Sequence, residues 1–338
     1  MTLLTEGCAE PLAARFDTAL VDLDGVVYIG PDVVPGAAES LARAREAGMR
    51  VAFVTNNAAR TPQAVAAHLR DLAVTAEPDD VVTAAQAAAT LVAERVPAGA
   101  RVLVVGGEGL RTALTERGLR PVASADDDPA AVVQGFAPDV GWTLLTEGVI
   151  AVRRGLPWVA SNLDRTIPTA RGLAPGNGAL VGVIAAVTGT TPVVAGKPEL
   201  ALHEEAVRRT GAQHPLVVGD RLDTDIEGAN RAGVASLLVL TGVASPGELV
   251  CAAAALRPSY IAEDLESGLL ASHPAVQEGG GAWTCGGWTA RHDGAWRVEG
   301  TGPRIDALRA LCAGVWSQGQ DAADAESVAA AVDGLPDH

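Results

Sequence analysis

Short apolar runs alternate with alanine-rich segments along most of this chain, and this alternation limits the folds open to it. The first four segments read TALVDLD, GAAESLARAREAG, RVAFVTNN and TPQAVAAHLRDL. Later apolar runs, each predicted to be a buried strand with a helical segment nearby, are ARVLVVGG, WTLLT, LPWVASN, HPLVVGD and ASLLVLTG. Strands that alternate with helices favour βαβ units on a parallel sheet. The sequence therefore predicts an α/β fold.

The length of the chain limits the number of domains, and its charge limits the partners that we expect it to bind. The chain has 338 residues, of which 48% are hydrophobic, so it is long enough for about two domains. It carries 41 acidic and 25 basic residues, a formal net charge of -16. This balance excludes nucleic acid and anionic membranes as expected partners. An anionic substrate would be repelled unless a metal ion or a local cation offset the field.

The cysteines and the uncharged stretches indicate a cytoplasmic protein. Four cysteines are scattered without a C-x-x-C spacing, which predicts neither a zinc site nor a disulfide framework. The N-terminal residues lack the basic and apolar regions of a secretory signal. The uncharged stretch 232–247 is too short to cross a bilayer and contains Gly, Ser and Pro. We therefore expect no membrane association.

Polar side chains follow several of the predicted strands at the point where each strand ends. In an open α/β sheet, ligands bind outside the carboxyl ends of the strands, so we expect these residues to form one site. In chain order they are Asp22 and Asp24 with Gly25, then Thr55, Asn56 and Asn57, then Lys197, and finally Asp220, Asp223 and Asp225.

The types of these residues favour phosphoryl transfer. A carboxylate such as Asp22 can attack phosphorus and form an acyl phosphate, which divides one difficult hydrolysis into two easier steps. Attack by one anion on another requires compensating positive charge, and Mg²⁺ bound by carboxylate oxygens supplies it. Asp22, Asp220 and Asp225 are the predicted metal ligands, whereas Asp223 is interpreted as a solvated or helix-capping carboxylate.

The remaining polar residues fit supporting roles in the same reaction. Lys197 provides a positive charge for both the nucleophile and the phosphate, and the Thr55 hydroxyl and the Asn56 amide can hold phosphate oxygens. Asp24 can protonate the leaving alcohol and later deprotonate water. Asn57 directly follows the phosphate-holding pair, and we predict that it contacts substrate.

Four motifs in this order, DLDGVV, VTNN, GKP and GDRLDTDI, resemble those of the haloacid dehalogenase-like phosphatases. The resemblance covers residues 17 to about 270. It implies that Asp22 is the nucleophile and that Asp24 is the general acid and base. It also implies that the backbone carbonyl of Asp24 is a Mg²⁺ ligand.

Spacing between the motifs indicates an inserted domain. Thr55 follows Asp22 by 33 positions, but Lys197 follows Thr55 by 142 positions. The second interval has room for a cap over residues 82–190, inserted between core segments 1–81 and 191–270. A cap of this α/β kind (type C2) occurs in the branch with p-nitrophenylphosphatases, phosphoglycolate phosphatase and pyridoxal phosphatase. The predicted fold is a Rossmann-like parallel-sheet core with an inserted α/β cap and a small C-terminal α+β appendage.

The C-terminal region has a different composition. Residues 271–300 are rich in Gly and Trp, and WTARHDGAWRVEG predicts a type I′ hairpin around Asp293-Gly294, followed by a helix. The predicted appendage, 275–330, resembles a partial acetyltransferase-like region found in actinobacterial glycerol 3-phosphate phosphatases. It lacks the glycine-rich loop of a coenzyme A site, so we do not expect acetyl transfer.

Four cap residues leave two interpretations open. Asn162, Asp164, Arg165 and Arg171 could form turns or contact substrate, and Asn162 and Arg171 are kept as candidate substrate contacts.

The predicted function is hydrolysis of a small phosphorylated metabolite, a phosphomonoester, with Mg²⁺. Glycerol 3-phosphate is the first candidate, and phosphoglycolate, pyridoxal phosphate and nucleoside monophosphates remain open. A phospho-aspartate signalling receiver would place its lysine after the last acidic strand, whereas Lys197 precedes Asp220. A scaffold role, or a homo-oligomer formed through the cap or the C-terminal region, is a further alternative.

Overall fold

The computed structural model describes residues 3–169, 171–318 and 325–336. Within that part of the chain the helices are α1 (Leu12–Arg15), α2 (Ala37–Glu46), α3 (Pro62–Asp71), α4 (Ala84–Ala93), α5 (Glu108–Glu116), α6 (Trp142–Arg153), α7 (Asn177–Thr188), α8 (Leu200–Thr210), α9 (Glu227–Ala232), α10 (Pro246–Val250), α11 (Leu265–Leu269), α12 (Arg304–Gln318) and α13 (Ala325–Asp333).

The strands in the same residues are β1 (Thr18–Val21), β2 (Tyr28–Ile29), β3 (Asp32–Val33), β4 (Arg50–Thr55), β5 (Val81–Thr83), β6 (Arg101–Val105), β7 (Arg120–Val122), β8 (Ala131–Gln134), β9 (Trp158–Ala160), β10 (Thr166–Thr169), β11 (Gly172–Pro175), β12 (Val193–Val194), β13 (Pro215–Gly219), β14 (Ala235–Val239), β15 (Tyr260–Ala262), β16 (Gln277–Gly279), β17 (Ala282–Cys285), β18 (Trp288–His292) and β19 (Trp296–Gly300).

The chain divides into two compact units. The first comprises Met1–Val51 and Ala212–His338, and the second comprises Ala52–Gly211. The boundaries expected from motif spacing, at residues 81, 190 and 270, stay predictions. Residues 319–324 of the expected appendage lie outside the described residues.

The first unit contains parallel strands in the order β15-β14-β13-β1. Leu20 of β1 lies opposite Val217 of β13, and Leu237 of β14 lies opposite Tyr260 of β15. These strands are apolar along their length because both faces of a parallel sheet are covered. The predicted α/β fold with a parallel sheet is confirmed.

The second unit contains the parallel pair β4–β5 and a parallel sheet in the order β12-β9-β8-β6-β7. One face of the larger sheet buries Val132, Trp158 and Val105 against Ile184 of α7 and Val152 of α6. The hairpin β10–β11 is antiparallel, with Thr169 opposite Gly172.

One predicted strand is wrong. WTLLT forms the start of helix α6, not a strand. The helix buries Gly148, Ala151 and Val152, a helical spacing that lies beyond the five residues on which the prediction rested. Strand β8, which the sequence analysis did not identify, has only four residues, AVVQ, all of them buried.

The predicted C-terminal hairpin and helix are confirmed as part of an antiparallel sheet in the order β16-β17-β18-β19, packed on α12. Its turn differs from the prediction. His292 lies opposite Trp296, so the loop has three residues, and of these only Gly294 has a positive φ. A type I′ turn needs positive φ at both central residues.

Among the described helices, none combines the length and apolar composition that a bilayer crossing requires. The uncharged stretch 172–196 is longer than the stretch considered in the sequence analysis. Its helix, α7, has only 12 residues.

Candidate active site

Three carboxylates meet at the ends of two neighbouring strands in the first unit. Asp22 follows β1, Asp220 follows β13, and the strands are parallel neighbours with Val21 opposite Val218. Asp225 lies in the π-helical turn Leu222–Ile226 that follows β13. One oxygen from each of the three carboxylates lies within 4.8 Å of the other two. Asp220 and Asp225 are fully buried, and Asp22 is partly buried.

Backbone groups hold two of these carboxylates in place. The amide of Val243 donates to Asp220 Oδ2 over 2.7 Å, and the amide of Arg221 donates to Asp225 Oδ2 over 3.2 Å. These hydrogen bonds fix the positions of the two carboxylates and leave their other oxygen atoms as candidate metal ligands.

Two glycines leave the space that Asp220 occupies. A Cβ atom built at Gly25 or at Gly242 would overlap the Asp220 carboxylate. Gly25 also has a φ of +84°, a conformation that favours glycine. This explains the glycine of the DLDG motif in steric terms.

The donor set fits a hard divalent cation. Three carboxylates this close together repel one another, and Mg²⁺ is bound in proteins by a small number of carboxylates together with water and phosphate oxygens. Asp223 is outside this set, because its side chain is 63% exposed and pairs with Arg221 over 2.9 Å. Asp22, Asp220 and Asp225 are thus the residues that could hold the metal.

Asp24 is exposed at the start of a short turn. It forms a backbone bridge with Tyr28, and the amide of Gly25 donates to the Tyr28 carbonyl over 2.8 Å. An exposed carboxylate two residues after Asp22 can exchange protons with solvent. Its acid/base role and the metal contact of its carbonyl stay predictions.

The second unit holds the Thr-Asn-Asn segment and Lys197. Thr55 ends β4, is buried, and accepts a hydrogen bond from the Asn57 amide over 3.0 Å. Lys197 is 5% exposed, and its Nζ donates to the Val54 carbonyl over 3.2 Å. The Lys197 charge is therefore held next to the carboxyl end of β4.

The predicted substrate contacts have different surroundings. Asn57 is exposed, and its Oδ1 accepts from the amides of Ala59 and Arg60, which is a turn role for that atom. Arg171 is exposed at the turn between β10 and β11, and its amide donates to the Thr169 hydroxyl. Asn162 is buried, and both ends of its side-chain amide are hydrogen-bonded within the protein. Its geometry favours a positioning role over substrate contact.

Glu205 is a buried, ion-paired residue that the sequence analysis did not identify. It lies in α8, which begins three residues after Lys197, and its buried carboxylate pairs with Arg117, Arg208 and Arg209. Burial alone would raise the pKa of Glu205, but hydrogen bonds from Arg208 and Arg209 outweigh it and lower the pKa. The spacing of Glu205 to the two arginines of α8, i to i+3 and i+4, was the available signal.

Family comparisons match three parts of the chain. A haloacid dehalogenase-like hydrolase model matches residues 19–120, and a second HAD-hydrolase-like model matches residues 194–267. A GCN5-related N-acetyltransferase-like domain model matches residues 285–335. The predicted resemblances at both ends of the chain are confirmed.

Similar proteins of known activity cover most of the chain. D-glycerol 3-phosphate phosphatase from Mycobacterium tuberculosis is 46% identical over 314 residues, 90% of this chain and 87% of that protein. A crystal structure of glycerol phosphate phosphatase from that organism, in complex with magnesium, superimposes with a TM-score of 0.84, covering 91% of this chain and 92% of the other. Acid sugar phosphatase from Staphylococcus aureus is 38% identical over 233 residues, 68% of this chain and 89% of that protein.

A further structural neighbour covers a smaller share of this chain. The p-nitrophenyl phosphatase from Archaeoglobus fulgidus is 30% identical, with a TM-score of 0.68, covering 74% of this chain and 97% of that chain.

Proposed function

The chain belongs to the haloacid dehalogenase-like hydrolases and is a phosphatase, and from this premise we propose that it hydrolyses glycerol 3-phosphate with Mg²⁺ through an aspartyl phosphate on Asp22. The observation that carries the proposal is the convergence of Asp22, Asp220 and Asp225 within 4.8 Å at the ends of β1 and β13. The 46% identity to D-glycerol 3-phosphate phosphatase supports the choice of substrate.

The reaction proceeds in two steps. A carboxylate oxygen of Asp22 attacks phosphorus, the bond to the alcohol oxygen breaks, and Asp24 gives its proton to the leaving alcohol. Asp24 then takes a proton from water, the water oxygen attacks the phosphorus of the aspartyl phosphate, and inorganic phosphate leaves with Asp22 regenerated. Bound Mg²⁺ supplies positive charge that offsets the repulsion between Asp22 and the phosphate.

Residues of the second unit are assigned by the same proposal. Lys197 balances negative charge on the nucleophile and the phosphate, and the Thr55 hydroxyl and the Asn56 backbone amide hold phosphate oxygens. Asn57 and Arg171 are proposed substrate contacts, and their exposure is compatible with that role.

Location and assembly belong to the proposal as well. The four cysteines are free, which supports placement in a reducing cytoplasm. Self-association stays a prediction. Exposed apolar side chains of the second unit that bear on it include Trp142, Val183 and Val187.

The test is a phosphate-release panel. Purified protein is assayed with Mg²⁺ on glycerol 3-phosphate, phosphoglycolate, pyridoxal phosphate and nucleoside monophosphates, and then again in EDTA. We expect the highest kcat/KM with glycerol 3-phosphate, loss of activity in EDTA and recovery with Mg²⁺. Asp22→Asn should abolish turnover while the circular dichroism spectrum and melting temperature stay unchanged. Full activity in chelator, or substantial activity of D22N, would overturn the mechanism.

A further inference from the structure

The side chain of Asn56 is used entirely within the second unit. Its Oδ1 accepts from the Lys197 amide over 2.8 Å, and its Nδ2 donates to the Lys197 carbonyl over 3.2 Å. The same Nδ2 also donates to Asp164 Oδ2 over 3.3 Å. Both polar groups of the Asn56 side chain therefore bond to the main chain of Lys197, as the backbone of a neighbouring strand would.

A second layer of amides fixes the position of Asn56. The Asn162 Nδ2 donates to the Asn56 carbonyl over 2.8 Å, and the Asn162 Oδ1 accepts from the Asp164 amide over 3.1 Å. Asn177, which is 1% exposed, donates to the Asn162 carbonyl over 2.8 Å. These bonds connect the first residue of α7 and the end of β9 to the segment after β4.

Glycine at position 196 permits this close approach. A Cβ atom at Gly196 would lie 2.5 Å from Asn56 Oδ1 and 2.6 Å from the Ser161 carbonyl. Contacts this short do not occur, so any side chain at 196 would push the Lys197 main chain away from Asn56. The glycine of the GKP motif therefore serves the pairing with Asn56.

We propose that Asp164 is a positioning residue for Lys197 and acts through Asn56. An ionised carboxylate only accepts hydrogen bonds, so Asp164 is compatible with just one orientation of the Asn56 amide, the one with Nδ2 toward Asp164. That orientation leaves Oδ1 for the Lys197 amide. With its main chain held by Asn56 and its Nζ bonded to the Val54 carbonyl, Lys197 is fixed at both ends.

The proposal rests on the proposed function, because it concerns the lysine that balances charge in that reaction. A positioning role for Asp164 and a direct contact of Asp164 with substrate would have different effects on the kinetic constants. Loss of a substrate contact raises KM, whereas displacement of a charge that acts in the transition state lowers kcat.

The first experiment compares Asp164→Ala with Asp164→Asn. D164A removes the acceptor, and we expect kcat for glycerol 3-phosphate to fall about tenfold to a hundredfold, with KM changed less than about threefold. D164N keeps an acceptor oxygen, so kcat should stay within about threefold of the wild type. Asp126→Ala removes an 87% exposed carboxylate of the same unit and serves as the control with unchanged kcat.

The second experiment uses Asn56 and does not depend on the folding of D164A. Asn56→Asp places two acceptors against each other at Asp164 and removes the donor to the Lys197 carbonyl. In the double variant N56D/D164N, the amide at position 164 can donate to the carboxylate at position 56, so the hydrogen bond is restored in the opposite direction. We therefore expect the double variant to have a higher kcat than N56D alone. Melting temperatures are recorded for every variant, so a loss of folded protein is separated from a loss of kcat.

The outcomes distinguish this proposal from the proposed function. If the wild type does not hydrolyse any phosphomonoester of the panel, the proposed function fails. If the wild type is active and D164A keeps its kcat, or D164A raises KM alone, or D164N falls as far as D164A, the positioning role fails. A double variant no better than N56D also overturns it.

Discussion

At the scale of single residues, the site depends on glycines as much as on carboxylates. Gly25 is recognisable in the sequence because it directly follows Asp24 in the DLDG motif. Gly242 is 22 positions from Asp220 and belongs to no motif, yet a side chain at either glycine would overlap the Asp220 carboxylate. The position of the Asp220 carboxylate is therefore set partly by the absence of a side chain in a segment remote in sequence.

Gly242→Ala tests this steric requirement. Gly242 does not have a positive φ, so alanine introduces no backbone strain there, and its methyl group acts only by displacing Asp220. We expect the Mg²⁺ concentration for half-maximal activity to rise about tenfold or more, as it does when groups that orient metal ligands are altered. A Mg²⁺ titration of phosphate release measures this. Gly247→Ala, where a Cβ would meet nothing within 4 Å, is the control; equal Mg²⁺ dependence of the two variants would contradict the argument.

Residue types and their order predicted which carboxylates meet, but not which atoms bond. Asp22, Asp220 and Asp225 lie together because the parallel register of β1 and β13 follows from their apolar runs. The hydrogen bonds of Asn56 join residues separated by 108 and 141 positions. An asparagine after a strand has the same sequence signature whether it binds phosphate or holds another loop.

At the scale of elements, α12 shows that the sequence pattern of a helix does not always predict which of its faces packs against the core. Its residues from Ile305 to Trp316 are all buried, so the helix has no polar face to orient it. Two of its charged residues pair with each other, with Arg309 Nη1 donating to Asp306 Oδ1 over 2.8 Å. Arg309 also donates to the Ile261 carbonyl and lies 3.0 Å from His273 Nδ1.

His273→Gln tests the contribution of this buried cluster to acid stability. Burial, followed by the charge of Arg309, lowers the pKa of His273 to about 4 from an ordinary value of 6.5. Below pH 6.5 the unfolded chain binds a proton that the folded chain does not, so stability is lost as pH falls from 6.5 toward 4, by at most about 1.4 kcal/mol per pH unit. Glutamine can accept from Arg309 and donate to the Gly268 carbonyl, so H273Q should lose less stability over this range.

Melting temperatures at pH 7 and pH 5 measure the difference. The carboxylates of the chain also destabilise it in acid, so the relevant quantity is the smaller drop of H273Q relative to the wild type. His68→Gln, in α3, is the matched control and should drop as the wild type does. Identical drops in melting temperature for all three proteins would show that His273 does not contribute to the loss of stability in acid.

At the scale of the whole molecule, the C-terminal region shares one apolar core with the parallel-sheet part of the first unit. Trp283, Trp296 and Leu308 belong to the same buried cluster as Leu249 and Ile261. The sequence placed this region correctly as a hairpin and a helix near the size limit for independent folding. It could not show the shared core, because the cluster joins residues that are distant in the sequence, such as Leu249 and Leu335.

Polar contacts reinforce the same junction. The Trp316 Nε1 donates to the Val250 carbonyl over 3.1 Å, and Arg257 lies 5.3 Å from the centre of the Trp316 ring. Arg257 also donates to the Trp316 carbonyl over 3.2 Å. From these contacts we expect the C-terminal region to stabilise the rest of the first unit, whereas a scaffold module could be removed without loss of stability.

Deletion of residues 275–338 decides between these roles. Truncation would expose Leu249, Val250 and Ile261, so we expect a large fall in melting temperature and aggregation of the product. Leu311→Ala, inside α12, is a milder test that should cost about 2–5 kcal/mol and leave KM unchanged. Arg297→Ala, on the exposed side of β19, should leave the melting temperature unchanged. Melting temperature, mass in solution and turnover are measured for each protein. A truncated chain with wild-type melting temperature and turnover but a smaller assembly would instead support a scaffold role, because only assembly would then depend on the deleted residues.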